Sequence, residues 1–180
     1  MSVMIAVQHN GRIAVAADSL WVSGMDGSQC VVPKIHRRGD TIVTVGPSCG
    51  WSTALRRQVL AIIDKHDDWP EYWPEYCLGQ ENDHVITRLQ DNTDAPVLVV
   101  WRGRVFQVWA SGALFERADN VTAIGCGGNF AKGAALALLP RYTTARTVAI
   151  TAAEIACELS VGCAPPIICE TVADAKEGEA

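Results

Sequence analysis

The stretch Ser-Val-Met-Ile-Ala-Val-Gln-His-Asn-Gly-Arg-Ile-Ala-Val-Ala-Ala-Asp (residues 2–18) decides how the chain folds. Val3 to Val7 is an uninterrupted apolar run, which predicts a buried β-strand. Asn10-Gly11 follows, and this dipeptide favours a two-residue hairpin because both central positions of a type I′ turn need a positive φ. Arg12 to Ala17 is then predicted to be the return strand, so the chain opens with a β-hairpin.

Later segments continue in blocks of strands and helices. Val31 to His36 and Thr41 to Val45 are predicted to be a second strand pair, joined through Arg38-Gly39-Asp40. Apolar residues then recur at helical spacing, which predicts a core-facing helix over roughly 48–65. The remaining predicted elements are a short helix over 82–91, strands over 96–101, 105–109 and 121–124, an Ala-rich helix over 130–139, a helix starting at the capping box Thr151-x-x-Glu154, and a strand over 167–172.

A near-repeat, Trp-Pro-Glu-Tyr-Trp-Pro-Glu-Tyr, occupies residues 69–76. Its two prolines are predicted to break the preceding helix, because proline lacks the backbone N–H and clashes with the previous turn. We therefore expect an exposed, aromatic-rich connection. It is either a contact for an oligomer or partner, or a loop packed on its own surface.

The order of these elements predicts the fold class. Strands, helices, strands, helices and a last strand come as blocks, which is typical of an α+β domain rather than of alternating βαβ units. Two antiparallel sheets with helices on their outer faces, a four-layer αββα sandwich, fit this order. We expect a single domain over 1–172, because a chain of 180 residues can bury one full core. A charged, flexible tail is expected over 173–180.

Composition and charge argue against several classes of function. The net charge of −5 argues against a nucleic-acid partner, which needs a concentrated basic surface. No apolar stretch reaches the ~20 residues of a membrane helix, and no signal peptide is recognisable. We expect no metal site, because the seven cysteines have no Cys-x-x-Cys spacing and no His-x-x-x-His accompanies them. We also expect no cofactor. Most of them lie in apolar runs, which suits a reducing cytoplasm.

Four segments carry a further signal when they are taken together. They are Ser2 to Asp18, Pro33-Lys34-Ile35, Val45-Gly46-Pro47-Ser48 and Ala123-Ile124-Gly125-Cys126-Gly127-Gly128-Asn129-Phe130-Ala131. Their residue types and order, and the separations between the first three, are similar to those of HslV and the proteasome β-subunits. The resemblance covers almost the whole chain and implies the N-terminal-nucleophile hydrolase fold of that family.

The resemblance also implies roles for the residues at matching positions. Ser2 would be the nucleophile once Met1 is removed, with its own α-amino group as the base, because the unperturbed pKa of such an amine is about 7.7–8.0. Lys34 would lower the pKa of the Ser2 hydroxyl, and Asp18 would hold the lysine ammonium in place. The backbone N–H of Gly46 would stabilise the oxyanion. Four positions match those that line the substrate pocket, namely Trp21, Val32, Thr44 and Ser48.

Three active-site positions depart from the family pattern. Ser2 stands in place of a threonine and lacks the methyl group that restricts χ1. Cys126 stands in place of a serine whose hydroxyl bonds near the terminal amine, and a thiol is the weaker hydrogen-bonding group. Glu158 stands in place of an aspartate and is longer by one methylene. Trp21 is bulky for a pocket position and would narrow that pocket.

Three functions remain open at this point. The leading one, implied by the resemblance, is a peptidase that acts on peptides or unfolded proteins and assembles as a homo-oligomeric ring or double ring. An ATPase unfoldase is a possible partner, as in HslV systems. The alternatives are a ring-forming structural homologue with weak or no activity, and an amidase or acylase acting on small amides. Loss of Met1 is the feature that separates the first from the second.

Overall fold

A computed structural model describes residues 2–23, 26–29, 33–45, 51–78, 96–108 and 113–175. Its strands are β1 (Met4–His9), β2 (Arg12–Ala17), β3 (Leu20–Ser23), β4 (Asp26–Gln29), β5 (Ile35–Arg38), β6 (Thr41–Thr44), β7 (Val97–Trp101), β8 (Arg104–Val108), β9 (Leu114–Glu116), β10 (Val121–Ile124) and β11 (Ile168–Ala173). Its helices are α1 (Trp51–Lys65), α2 (Trp69–Leu78), α3 (Gly128–Leu138) and α4 (Ala145–Leu159).

The strands form two antiparallel sheets and a separate hairpin. The first sheet has the order β10-β1-β2-β11, and the second has the order β5-β6-β7-β8-β9. The hairpin consists of β3 and β4. The second sheet contains the predicted pair of strands on either side of Gly39-Asp40, but its first strand begins at Ile35. Neither the β3–β4 hairpin nor β9 follows from the sequence patterns.

Three apolar clusters separate four layers. One lies between the two sheets and includes Met4 and Val15 of the first sheet and Leu98 of the second. A second lies between the first sheet and helices α3 and α4. The third lies between the second sheet and helices α1 and α2. The predicted α+β class and its four-layer αββα sandwich are confirmed.

Strand β1 shows why the opening run is apolar at every position. Val3, Ile5 and Val7 pack towards α3 and α4, whereas Met4 and Ala6 pack towards the second sheet. Side chains alternate between the faces of a strand, so a strand covered on both faces favours apolar residues at successive positions. The apolar run therefore indicates a central strand of a sandwich.

The Asn10-Gly11 turn has the backbone conformation that the sequence predicts, and a second hairpin turn shares it. At the turn between β1 and β2, φ is 48° at Asn10 and 67° at Gly11. At the turn between β7 and β8, φ is 47° at Arg102 and 70° at Gly103. Two successive positive φ values are the mark of a type I′ turn, whose twist matches that of the flanking strands.

The aromatic near-repeat is a helix, and the prediction of an exposed connection over 69–76 is wrong. Helix α2 spans it, and the rings of Trp69 and Trp73 are fully buried. Trp69 packs edge-on against Trp101 and Phe106, with ring centroids 6.1 and 5.2 Å apart. Pro70 lies in the first turn, where a proline disrupts no intrahelical hydrogen bond. Burial of two large aromatic side chains outweighs the local proline signal.

Helix α4 begins six residues before the predicted capping box. Its N-cap is Thr144, whose hydroxyl accepts a hydrogen bond from the Thr147 N–H at 3.1 Å. Thr151 lies in the middle of the helix, so the predicted start there is wrong. The face of α4 that meets the first sheet carries alanines at 149, 152, 153 and 156, and these small residues allow a close approach. Packing of that face selects a longer helix than the capping pattern indicates.

Thr144→Ala is expected to lower the free energy of unfolding by about 1 kcal/mol, because the Thr147 N–H loses its acceptor. Thr151→Ala is the matched control. It is expected to cause no loss, since alanine has the higher helix propensity inside a helix. Urea denaturation followed by circular dichroism measures both variants. A larger loss for Thr151→Ala than for Thr144→Ala would contradict the observed helix start.

The remaining elements agree with or extend the predictions. Helix α3 starts two residues earlier than predicted, at Gly128. The predicted helix over 82–91 lies outside the described residues. β11 extends to Ala173, after which the N–H groups of Asp174 and Ala175 donate to Gly11 and Gly103, and 176–180 lie outside the described part. Among the described helices, none is long and apolar enough to cross a membrane.

Candidate active site

Antiparallel pairing gathers several chain segments at one end of the first sheet. In the registers of β1 with β2 and β10, Met4 is opposite both Ala17 and Ile124. The start of β11 lies there too, because Ile168 is opposite Ala17. The residues just outside these strand ends therefore meet, although they are far apart in sequence. They are Ser2, Asp18, Cys126 and Ala164.

Ser2 lies at the start of β1 and is buried, with 2% of its surface exposed. Its carbonyl accepts a hydrogen bond from the Gly127 N–H at 3.2 Å, and its nitrogen lies 3.2 Å from Cys126 Sγ. With Met1 attached, that nitrogen is an amide. The Ser2 hydroxyl is buried and has no hydrogen-bond partner among the described residues. Unpaired buried polar atoms are costly, so they are often explained by function.

A buried ion pair lies next to the serine. Lys34 Nζ donates to Asp18 Oδ1 at 2.7 Å, and both side chains are at most 1% exposed. Lys34 directly precedes β5 and is attached to the second sheet, where its carbonyl accepts from the Val45 N–H at 3.0 Å. The pair therefore links the two sheets.

Backbone donors surround the carboxylate of Asp18. Oδ1 also accepts from the Val3 N–H at 2.9 Å, and Oδ2 accepts from Leu20 at 3.2 Å and from Ala164 at 3.3 Å. Four donors therefore bind this one carboxylate, and they restrict its rotation. Since Val3 follows Ser2 directly, Asp18 holds both the lysine ammonium and the backbone beside the serine.

Gly125 allows the turn after β10 to approach the N-terminal segment. Its φ is +90°, and a Cβ at this position would lie 2.2 Å from the Ser2 carbonyl oxygen. No other residue type fits without a shift of the backbone. The match of Ile124-Gly125 to the family pattern thus has a steric explanation in this chain.

Gly125→Ala is expected to lower the free energy of unfolding by about 2–3 kcal/mol, through backbone strain and overlap with Ser2. Gly133→Ala in α3 is the matched control, because a Cβ there meets nothing within 4 Å. The control is expected to be neutral or stabilising by up to about 1 kcal/mol. The urea concentrations at the midpoint of unfolding of the two variants test this prediction. Equal midpoints would contradict the close approach of Gly125 to Ser2.

Cys126 is exposed and lies among several hydrogen-bonding groups. The Ser160 hydroxyl is 3.6 Å from its sulfur, and the Cys163 thiol is 3.9 Å away. Partial burial raises the pKa of the Cys126 thiol, but hydrogen bonds from Ser160, Ser2 and Cys163 and the positive N-terminus outweigh that effect. The pKa of Cys126 is therefore below its ordinary value. In contrast, burial raises the pKa of Cys163 to about 12.

Of the other predicted site residues, the structure describes two fully, one by its backbone alone and three not at all. Glu158 is exposed on α4 and forms no hydrogen bond or ion pair with any described residue. Thr44 is fully buried, and its hydroxyl accepts from the Leu98 N–H at 3.1 Å. Trp21 lies on β3 opposite Ser28, and its side chain is outside the described part. The other three, Gly46, Ser48 and Val32, are also outside the described residues.

Three contacts of the site do not follow from the sequence patterns. Ser160, Cys163 and Ala164 lie in the segment after α4, and each contacts Cys126 or Asp18. The only sequence signal for them is their position just after a helix end. The described residues contain no group of three or more His, Cys, Asp or Glu side chains that could hold a metal ion.

Comparison with known proteins gives consistent matches. The ATP-dependent protease subunit HslV of Bartonella quintana is 25% identical over 158 residues, which cover 88% of this chain and 82% of that protein. The same subunit of Caulobacter sp. is 27% identical over 163 residues, with coverages of 88% and 87%. No protein-family model matches the chain.

Solved structures agree with the fold. Eukaryotic HslV from Trypanosoma brucei superposes with a TM-score of 0.79 at 20% identity, covering 95% of this chain and 99% of that one. Thiobacillus denitrificans BPH in complex with epoxomicin superposes with a TM-score of 0.72 at 20% identity, with coverages of 95% and 98%.

The four-layer sandwich and its structural neighbours define the class: the chain has the N-terminal-nucleophile hydrolase fold. Within that class, it is similar in sequence and fold to the HslV-like, proteasome-type protease subunits, and the predicted resemblance is confirmed. Ser2, Asp18, Lys34 and Cys126 come together at one end of the first sheet, as expected for residues of one site.

Proposed function

We propose that the protein is an HslV-type and proteasome-type peptidase that hydrolyses peptide bonds through an acyl-enzyme ester on Ser2 after Met1 is removed. One observation carries this proposal. The Ser2 hydroxyl is buried with no hydrogen-bond partner in the described part of the chain, next to a nitrogen that becomes an α-amine when Met1 is cleaved. A serine of this kind has its base attached to the same residue, which is what activation of a weak nucleophile requires.

In the proposed reaction, the Ser2 amine accepts the hydroxyl proton as Oγ attacks the carbonyl carbon of the substrate. The C–N bond of the tetrahedral intermediate then breaks, and the leaving amine takes the proton. Water attacks the resulting ester in a second cycle and frees Ser2. Lys34 supplies a positive charge that favours the attacking alkoxide, and the predicted Gly46 N–H donates to the oxyanion.

Asp18 is a positioning residue in this scheme. Its carboxylate binds the Lys34 ammonium and the Val3 N–H with the same oxygen, so it fixes the charge and the nucleophile relative to each other. Preorganised charge is effective because it needs no rearrangement as the reaction proceeds. Cys126, which accepts from the Ser2 nitrogen, positions the amine.

The proposed assembly is a homo-oligomeric ring or double ring in the cytoplasm, and the proposed substrates are peptides or unfolded proteins. The relatives are named as ATP-dependent protease subunits, which supports a protease activity and an ATPase as partner. Trp21, Val32, Thr44 and Ser48 are proposed to shape the substrate pocket. Thr44 contributes through its backbone position, since its hydroxyl is bound by Leu98.

The free amine can be tested without changing any residue of the site. A leader fused in place of Met1, and removed by a protease that leaves Ser2 first, yields cleaved and uncleaved forms of one protein. The cleaved form is expected to hydrolyse peptides and to form a peptide-epoxyketone adduct at Ser2, and the uncleaved form to do neither. Intact mass and peptide mapping locate the adduct.

Other outcomes favour other functions. Equal adduct formation in the uncleaved form would contradict the role of the amine. A folded, cleaved ring with no adduct and no turnover would favour the structural homologue. The observation that supports it is Glu158, which is exposed and bonded to none of the residues that the structure describes. Turnover of small amides without peptides would favour an amidase. Native mass spectrometry measures the ring, and a monomer at all concentrations would contradict the assembly.

A further inference from the structure

A second cysteine lies beside the proposed site and takes no part in the reaction. Cys163 Sγ is 3.9 Å from Cys126 Sγ, and Cys126 Sγ in turn lies 3.2 Å from the Ser2 nitrogen. The two cysteines are 37 residues apart in sequence and belong to different segments. Their sulfurs therefore meet only because the turn after β10 packs against the segment after α4.

We propose that Cys126 and Cys163 are a peroxide-sensitive dithiol, which closes to a disulfide and thereby withdraws the Ser2 amine from its catalytic position. The disulfide itself stands on the geometry of the two thiols alone. Its effect on turnover rests on the proposed function of Ser2.

The two thiols are suited to different steps. Cys126 is exposed to solvent, whereas Cys163 is buried. The thiolate is the form that reacts with peroxide, and the pKa of Cys126 is lowered by the hydrogen bonds around it despite partial burial. Burial raises the pKa of Cys163 to about 12, that of Cys157 to about 11 and that of Cys169 to about 11. Among these four cysteines, Cys126 is the one expected to be oxidised first.

The geometry lets Cys163 resolve the oxidised cysteine. A disulfide needs the sulfurs about 2 Å apart, so the 3.9 Å gap must close by about 2 Å. Cys163 Sγ also packs closely against Gly127, the residue that follows Cys126, since a Cβ at Gly127 would lie 2.7 Å from this sulfur. Cys163 also precedes Ala164, whose N–H is bonded to Asp18, so a shift of this segment is transmitted to the ion pair.

The chemistry balances with hydrogen peroxide as the oxidant. The Cys126 thiolate attacks one peroxide oxygen, the O–O bond breaks, and hydroxide leaves, so that Cys126 becomes a sulfenic acid. The Cys163 sulfur then attacks the sulfenic sulfur. The S–O bond breaks, the thiol proton joins the leaving hydroxide, and water and a disulfide result. A dithiol reductant converts the disulfide back to two thiols by thiol–disulfide exchange.

Formation of the disulfide would affect the Ser2 amine through one contact, the one with Cys126 Sγ. Cys126 Sγ accepts the hydrogen bond from the Ser2 nitrogen, and the disulfide draws this sulfur towards Cys163. A disulfide sulfur carries no negative charge, so it also binds an amine proton less strongly than a thiolate does. The amine then loses its fixed position. It becomes a less efficient general base, because a base must lie within hydrogen-bonding distance of the proton that it accepts.

The experiment uses the full chain with Met1 removed. After treatment with hydrogen peroxide, intact mass under non-reducing conditions is expected to fall by about 2 Da, and peptide mapping to find a bond between 126 and 163. Cys169→Ser is the matched control, because this buried cysteine lies outside the pair, and it should form the same bond. In Cys163→Ser, a dimedone adduct should appear on Cys126 instead. A bond between other cysteines, or an unmodified Cys126, would overturn the dithiol.

Turnover is measured on the same samples. Peroxide is expected to lower peptide hydrolysis at least tenfold in the parent and in Cys169→Ser, and dithiothreitol to restore it. In Cys163→Ser, prolonged exposure should cause a loss that dithiothreitol does not reverse, since the sulfenic acid advances to the sulfinic acid. Disulfide formation with unchanged turnover overturns the switch. No turnover before oxidation, with the disulfide still formed, overturns the proposed function and leaves the dithiol standing.

Discussion

Ser2→Ala is expected to lower kcat/KM for peptide hydrolysis by about 10⁴-fold or more, which is the scale of loss when a covalent nucleophile is removed. The free energy of unfolding should stay the same or rise slightly. The reason is that the hydroxyl is buried without a partner among the described residues, so its removal leaves no donor or acceptor unpaired. Steady-state kinetics and urea denaturation on the same preparation separate the two effects.

Ser2→Thr is the control for this prediction. It keeps the hydroxyl and the α-amine and adds the methyl group that restricts χ1. Turnover should stay within about tenfold of the parent, since the reacting groups are unchanged. Full activity in Ser2→Ala would contradict the assignment of the nucleophile. A loss of stability as large as the loss of activity would show that the serine serves the fold.

Lys34→Met is expected to lower the free energy of unfolding by about 3–5 kcal/mol, because it leaves the carboxylate of Asp18 buried and unpaired. Methionine keeps the length and most of the apolar stem of lysine, so packing is preserved and the lost charge dominates. Asp18 is at most 1% exposed, and three backbone N–H groups remain to bind it. Urea denaturation measures the loss, and peptide turnover should fall with it.

Arg37→Met tests the same change of charge on the surface. Arg37 pairs with Glu170 at 3.4 Å, and their side chains are 42% and 38% exposed. Such exposed pairs contribute about 1 kcal/mol or less, because water screens them. The buried pair should therefore cost at least three times more to break. Equal losses of unfolding free energy in the two variants would show that the buried pair of Lys34 and Asp18 stabilises the fold no more than an exposed pair does.

Local signals predicted the parts of the fold that are locally determined. Asn10-Gly11 forms the expected turn, since a positive φ is a property of the dipeptide itself. The prolines at 70 and 74 led to a wrong prediction, because the gain from burying Trp69 comes from its packing against Trp101 of β7 and Phe106 of β8, which are distant in sequence. The capping pattern Thr151-x-x-Glu154 likewise led to a wrong prediction of where the helix starts. The pattern is present, but the helix begins at Ala145, after the N-cap Thr144, because its alanine face packs on the first sheet.

The candidate site likewise contains residues that the sequence predicts and residues that only the tertiary packing reveals. Ser2, Asp18, Lys34 and Cys126 were predicted by their resemblance to a family, and the structure brings them together. The catalytic roles of these four residues stay predictions, as do the pocket residues and the roles of Gly46 and Glu158. Ser160, Cys163 and Ala164 could not be predicted, because their contacts depend on how the segment after α4 packs against the turn after β10.

For this protein, the sequence by itself determined the fold class, the opening hairpin and the residue types of a candidate site. Each of these depends on local backbone preference, apolar periodicity or family pattern. Only the tertiary structure decided that the Ser2 hydroxyl is buried with no partner among the residues described, that Lys34 and Asp18 pair away from water, and that two thiols meet beside Ser2. Burial and distance between remote segments are set by the packing of the whole chain, and no short stretch of sequence contains them.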